Sequence, residues 1–196
     1  MKSHLFRMST GLASAVLVLA GGLAVHQFTL QPVQAQSGNG KHFTIDVVED
    51  CSTAHINPVD PNENTAVDVA PGDTIVVAGT IYPGGTLQSG AQNNLPTDPG
   101  SIGKWLSRAV FVVNTTQFFT QGVSPIAYAT MLYLFSNSSS SLVSEGLVPN
   151  IGASETRAVI GGTGPFSAAA GDVRHDNIGT NGTGCFNYRF TFKLRD

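Results

Sequence analysis

The residues of this chain best placed to do chemistry are polar side chains set among apolar ones at a spacing of two. Glu145 lies between Val143 and Leu147, and Arg108 shares a parity with Leu106, Val110 and Val112. Tyr128 alternates with Ile126 and Leu132, and Tyr188 sits among Phe186, Phe190 and Phe192. Successive side chains of a strand point to opposite faces, so a polar residue in step with apolar neighbours is carried toward the interior. There a charge needs a partner or a ligand. Glu145 and Arg108 are therefore the candidate catalytic residues, with a structural ion pair between them, or an Arg108 that snorkels outward, as the plainer readings. Trp105, Tyr128, Tyr188 and Phe190 are the candidate ligand-binding residues; a core aromatic with its hydroxyl at a rim is the alternative for Tyr188. Asp46 falls on the side of its strand opposite Phe43, Ile45 and Val47 and is expected on a solvated face.

Several other chemistries are poorly supplied. Gly161-Gly162-Thr163-Gly164 is followed by Pro165-Phe166, where a phosphate loop needs Gly-Lys-Ser or Gly-Lys-Thr. These glycines read instead as a structural turn between strands. His42, His55 and His175 lack metal-ligand spacing, so no metal is expected, and no Gly-x-Ser-x-Gly elbow marks a nucleophilic serine. The net charge of −3, with scattered basic residues, gives no footprint for nucleic acid.

The chain opens with Lys2 and Arg7, followed by an uncharged Leu/Val/Ala/Gly stretch from Leu12 to Val25, then Pro32 and Val33-Gln34-Ala35. This order predicts a signal peptide over 1–35 and a secreted product. The rival, an uncleaved anchor, would need roughly 20 apolar residues, and this run is shorter and interrupted by glycine. A polar lead-in, 36–41, would then precede a single domain over 42–196, with no membrane contact after cleavage.

Charged residues make up 12% of the chain, about half the usual share, and Gly, Ser, Thr and Asn replace them. That composition suits a β protein with many tight turns. Cys51 ends one strand-like run and Cys185 begins the last. In a secreted chain they are expected to form a disulfide if the first and last strands pair; two buried thiols are the alternative.

Strand-like segments cover 42–49, 73–82, 105–114, 126–135, 142–148, 156–160, 167–173 and 185–194. The last is the clearest, with Phe186, Tyr188, Phe190 and Phe192 on one side. Long loops are expected over 51–71 and 83–103, the second able to act as a lid or rim. Eight strands without a helix predict an all-β fold, an antiparallel barrel or a β-sandwich.

The segment Arg157-Ala158-Val159-Ile160-Gly161-Gly162-Thr163-Gly164-Pro165-Phe166, with Ser167 to Val173 after it, resembles the signature of the allene oxide cyclase and dirigent-protein barrels. Leu142 to Leu147 and the closing aromatic strand fit the same pattern; Ala170 departs from it, standing where many members carry Arg. The resemblance implies an eight-stranded antiparallel barrel with an apolar cavity, assembled as a homodimer or homotrimer. It also implies a small hydrophobic ligand whose cyclisation or coupling is steered without a cofactor. A barrel that only carries a lipid or pigment, and a structural or adhesive surface protein, remain open as alternatives.

Overall fold

The structure is a computed structural model and describes residues 40–62, 68–136 and 139–195. The signal-peptide reading of 1–35 lies outside the described residues. Eight strands follow in chain order: β1 (His42–Asn57), β2 (Thr74–Pro83), β3 (Gly103–Phe111), β4 (Ala127–Phe135), β5 (Ser140–Val148), β6 (Ser154–Thr163), β7 (Ala170–Thr180) and β8 (Phe186–Arg195). Each pairs antiparallel with the next, and β1 pairs with β8 from His42↔Lys193 to Val48↔Asn187, closing the barrel. Closure leaves no free edge among these strands, and it decides against the sandwich.

Period-two alternation places Ile45 and Val47 of β1, Trp105 of β3, Tyr133 of β4 and Phe190 and Phe192 of β8 inside. One end of the lumen is plugged by aromatic rings. Phe43 stacks on Phe192 at 4.7 Å between centroids, and Phe135, Phe166 and Tyr133 pack around the pair. Gly162 lies where the chain passes close to β5, since a Cβ there would meet the Ser141 carbonyl at 2.3 Å. Gly164 turns the chain at φ +59°, and Gly161 pairs with Val143 beside a bulge in the β5–β6 ladder. All three glycines thus serve backbone geometry at the corner.

The expected loop from Cys51 is strand as far as Asn57, because after a bulge His55, Ile56 and Asn57 rejoin the ladder opposite Val76, Ile75 and Thr74. Backbone pairing needs no apolar face, and the polar run hides it. β7 likewise runs beyond Val173, carrying His175 and Asn177 inward where an apolar alternation would have been legible.

The loop from Gly84 to Ile102 is not a lid over the mouth. It folds onto the outer wall, where Gly90 and Gln92 bond the carbonyls of Ile178 and Thr180 and the Tyr82 hydroxyl donates to the Asp98 carbonyl. Leu87, Val48 and Tyr82 form a second small core beneath it. This loop buries Asp46 completely, correcting the solvated-face expectation. Asp46 accepts from Arg189 Nε at 2.8 Å, from Arg189 Nη2 at 3.1 Å and from the Leu87 N–H at 2.8 Å. Asp46→Ala strands that N–H and half-frees a partly exposed arginine, so a loss of about 2 kcal/mol is expected. Urea denaturation measures it; an unchanged midpoint would show that the loop is held without this carboxylate.

Candidate functional site

At the end of the lumen opposite the aromatic plug lies a cavity of about 350 Å³. Its existence follows from residue size. The inward positions of β3 and β4 near this end carry Ser107, Ala109 and Ala127, whereas farther in they carry Trp105, Met131 and Tyr133. The walls are Ile75, Val77, Met131, Val148 and Phe186, and a short helical turn, Thr116–Thr120, brings Phe118 and Phe119 to the mouth. Phe118 is buried and Phe119 is 69% exposed. The disulfide between Cys51 and Cys185 also lines the cavity, just beyond the end of the β1–β8 ladder, with its Cα atoms 5.4 Å apart.

Two carboxyl groups line this space among the described residues, Asp68 exposed and Glu49 buried in the wall. Glu49 follows Phe43, Ile45 and Val47 on the inward side of β1 and is only 6% exposed. Its Oε2 accepts the Phe186 N–H at 3.2 Å, and its carboxyl interacts with the Tyr188 hydroxyl. Asn181 clamps the same corner, its Nδ2 donating to the Glu49 and Phe186 carbonyls. Burial pushes the Glu49 carboxyl up to about 7, against the smaller opposing effects of those two hydrogen bonds. Near neutral pH it is thus poised to give or take a proton. Burial holds the Tyr188 hydroxyl well above its ordinary value, with the Glu49 charge adding to the effect, so it stays a donor. Glu49, Tyr188 and Ser107 are the polar side chains that converge on the cavity from β1, β8 and β3.

The raised carboxyl has a thermodynamic consequence. Between about 4.5 and about 7 the folded protein keeps a proton that the unfolded chain has released. The stability this provides is complete below pH 4.5, declines as pH rises and is lost above about 7, a change on the order of 3 kcal/mol. Glu49→Gln is expected to remove that decline. Denaturant titrations at about pH 5 and about pH 8 measure it; a variant with the same pH slope as the native protein would place the titration elsewhere.

Deeper in the lumen, the buried guanidinium of Arg157 donates to the carbonyls of Gly146 and Leu147, both at 2.8 Å, and of Ala129 at 2.6 Å. Its Nε reaches Ser144 Oγ, which also bonds the Tyr133 hydroxyl at 3.0 Å. His175 stacks on Phe190 at 4.4 Å and meets Tyr188 edge-on. Burial, with the Arg157 charge second, holds it well below its usual value and neutral, against the smaller opposing effect of the Leu147 backbone.

The structure brings Trp105, Tyr188 and Phe190 into the interior, with Trp105 and Tyr188 lining the cavity at 5.8 Å between centroids. It does not bring Glu145, Arg108 or Tyr128 there. Arg108 and Tyr128 are exposed, and Glu145 is half-buried on the same outer face, accepting from Thr130 Oγ1 at 3.3 Å. Arg108 and Glu145 keep parity with apolar neighbours of the outer wall, as Tyr128 does with Leu132, whereas Ile126 precedes β4 and is buried in the cavity lining. Sequence reasoning misses Glu49, although it continues Phe43, Ile45 and Val47 by parity; Arg157 stands two before Val159, and His175 two after Val173, in the same way. No cluster of three or more metal-ligating residues occurs among the described residues.

No protein-family model matches the sequence, nor does any curated protein. Among solved structures, the pterocarpan synthase dirigent protein PsPTS1 is similar at TM-score 0.57 and 14% identity, over 79% of this chain and 94% of its own. A second pterocarpan synthase dirigent protein, GePTS1, is similar at TM-score 0.54 and 15% identity, over 79% of this chain and 83% of its own. At such identities the likeness is one of fold alone, which in this chain is a closed eight-stranded barrel.

Proposed function

We propose that this protein is a secreted barrel that takes a small apolar molecule into its lumen and steers that molecule's cyclisation or coupling, with no cofactor. The observation that carries the reading is the Glu49 carboxyl, buried in the wall of a largely apolar cavity and titrating near neutral pH. An apolar pocket holds a flexible reactant in one near-attack geometry and keeps water out. Glu49 supplies or removes the proton as charge develops, and the Tyr188 hydroxyl orients the reacting oxygen. In this reading Glu49 and Tyr188 take the roles that sequence parity suggests for Glu145 and Arg108. That a protein of similar fold is a pterocarpan synthase supports this class of activity by analogy of fold. The leader-like start of the chain and the Cys51–Cys185 bridge support export to an oxidising compartment.

The chain has one tryptophan, and it lines the cavity, so its emission reports on that site alone. Titration with 1-naphthol, an apolar phenol, is expected to change Trp105 emission saturably. Ala109→Leu, which fills the cavity from β3, is expected to weaken binding by about tenfold or more while the barrel still folds. Native mass spectrometry of the protein from its own source is expected to show a small molecule lost on denaturation. No retained ligand and no saturable response would leave a structural barrel that takes up no ligand as the better reading.

A further inference from the structure

We propose that the molecule taken into the lumen is an apolar amine carried as its cation, with its ammonium against Glu49 and its hydrocarbon against the aromatic walls. The inference rests on the reading that the cavity takes up a small molecule, and it assigns that molecule a charge. Two acidic side chains line the cavity, Glu49 buried in the wall and Asp68 exposed. Among the described residues no Lys, Arg or His lines it. An anion entering this space would meet two carboxyl groups and no countercharge. The lining also includes six aromatic side chains, Trp105, Phe111, Phe118, Phe119, Phe186 and Tyr188. Such ring faces attract a cation through their quadrupoles, the more so where water is excluded.

Glu49 is the buried acid of this cavity, and the groups that act on it are not cations. Its carboxyl accepts the Phe186 N–H and meets the Tyr188 hydroxyl, both from β8. From β2 and β3, Val77 and Ser107 reach the same cavity, and neither is charged. Asp50, next on β1, is held by Ser52. The Arg157 charge acts instead on Tyr188 and on the neutral His175. A buried carboxylate needs a countercharge, and a ligand cation would supply it. Asp68 accepts from Thr115 Oγ1 at 3.4 Å, beside the turn that leaves Phe119 69% exposed. A cation arriving from solvent thus meets a carboxylate and an open aromatic face first, and a cleft lined by one sign of charge draws the opposite sign inward.

Isothermal titration calorimetry of the purified protein with three probes of one ring system tests this: 1-naphthylmethylamine, a cation; 1-naphthalenemethanol, which is neutral; and 1-naphthoate, an anion. At about pH 8 the amine is expected to bind about tenfold more tightly than the alcohol, and the alcohol more tightly than the naphthoate. Glu49 is ionised above about 7 and protonated below it. The amine's affinity is therefore expected to fall by about tenfold from about pH 8 to about pH 5.5, while the alcohol's changes little. Glu49→Gln is expected to bring the amine down to the affinity of the alcohol on the same variant. Asp68→Asn, at the exposed mouth, is expected to weaken the amine by about threefold, so the test stands even where the glutamine variant does not fold. An alcohol or naphthoate that binds as tightly as the amine, or an amine indifferent to pH, overturns this inference and leaves ligand uptake standing. Binding of none of the three probes overturns ligand uptake itself, and this inference with it.

Discussion

Replacing Cys51 and Cys185 together by alanine is expected to lower stability by about 5 kcal/mol, a larger effect than any single substitution above. The bridge spans 134 residues, nearly the whole described barrel, so reduction returns that much freedom to the unfolded chain. The chain-entropy relation gives about 5 kcal/mol for a loop of this length, a large part of a typical domain's stability. In the folded state the bridge stands where the β1–β8 ladder has ended and β1 bulges away, so no backbone pairing there takes over its role. Because both cysteines line the cavity, Trp105 emission should report the loosened mouth as well. Urea midpoints of the native and double-alanine proteins decide the matter. A loss below about 1 kcal/mol would mean that strand pairing alone holds this seam and that closing the loop hardly restricts the unfolded chain.

Arg157→Met is expected to cost about 3 kcal/mol, although it removes a buried charge with no carboxylate bonded to it. The β5–β6 ladder stops at Glu145↔Ala158, and the guanidinium takes over the carbonyls of Gly146 and Leu147 beyond that point, together with that of Ala129 on β4. Methionine fills similar volume and recovers the desolvation of the cation, but it leaves buried acceptors unpaired, each costing about 1–3 kcal/mol. Arg157→Lys is expected to rescue little, because an ammonium lacks the planar fork that spans two strands. If the methionine variant unfolds at the native urea concentration, those carbonyls find water or other donors, and the guanidinium is dispensable to the fold. Since Arg157 also depresses the His175 imidazole, its loss should raise that group toward its ordinary range.

Strand β8 and strands β3 to β5 differ in how plainly their sequences show which side faces inward. On β8 only one parity is apolar, since Tyr188, Phe190 and Phe192 alternate with Asn187, Arg189, Thr191 and Lys193. Inward and outward are therefore legible in the residues themselves, and Tyr188 and Phe190 lie inside as that alternation requires. On β3, β4 and β5 both parities are apolar. Trp105, Ala109 and Phe111 compete with Leu106 and Val110; Ala129, Met131 and Tyr133 compete with Tyr128, Leu132 and Leu134; Leu142 competes with Val143 and Leu147. Choosing the larger aliphatic set assigns Arg108, Tyr128 and Glu145 to the lumen, whereas the barrel turns that set outward.

From the sequence alone came the all-β class, the eight strands, the aromatic lining of the closing strand, the glycine corner and the pairing of Cys51 with Cys185 once the ends meet. Those properties depend on local alternation, turn chemistry and chain order, which neighbouring residues specify among themselves. Only the tertiary structure decided which face of β3 to β5 looks inward, that the 84–102 loop covers Asp46, and that Glu49 stands buried in the wall of an apolar cavity. Parity relates residues within one strand, but it carries no sign. The sign is set when all eight ladders close at once and the bulkier inner residues leave space beside Ser107, Ala109 and Ala127.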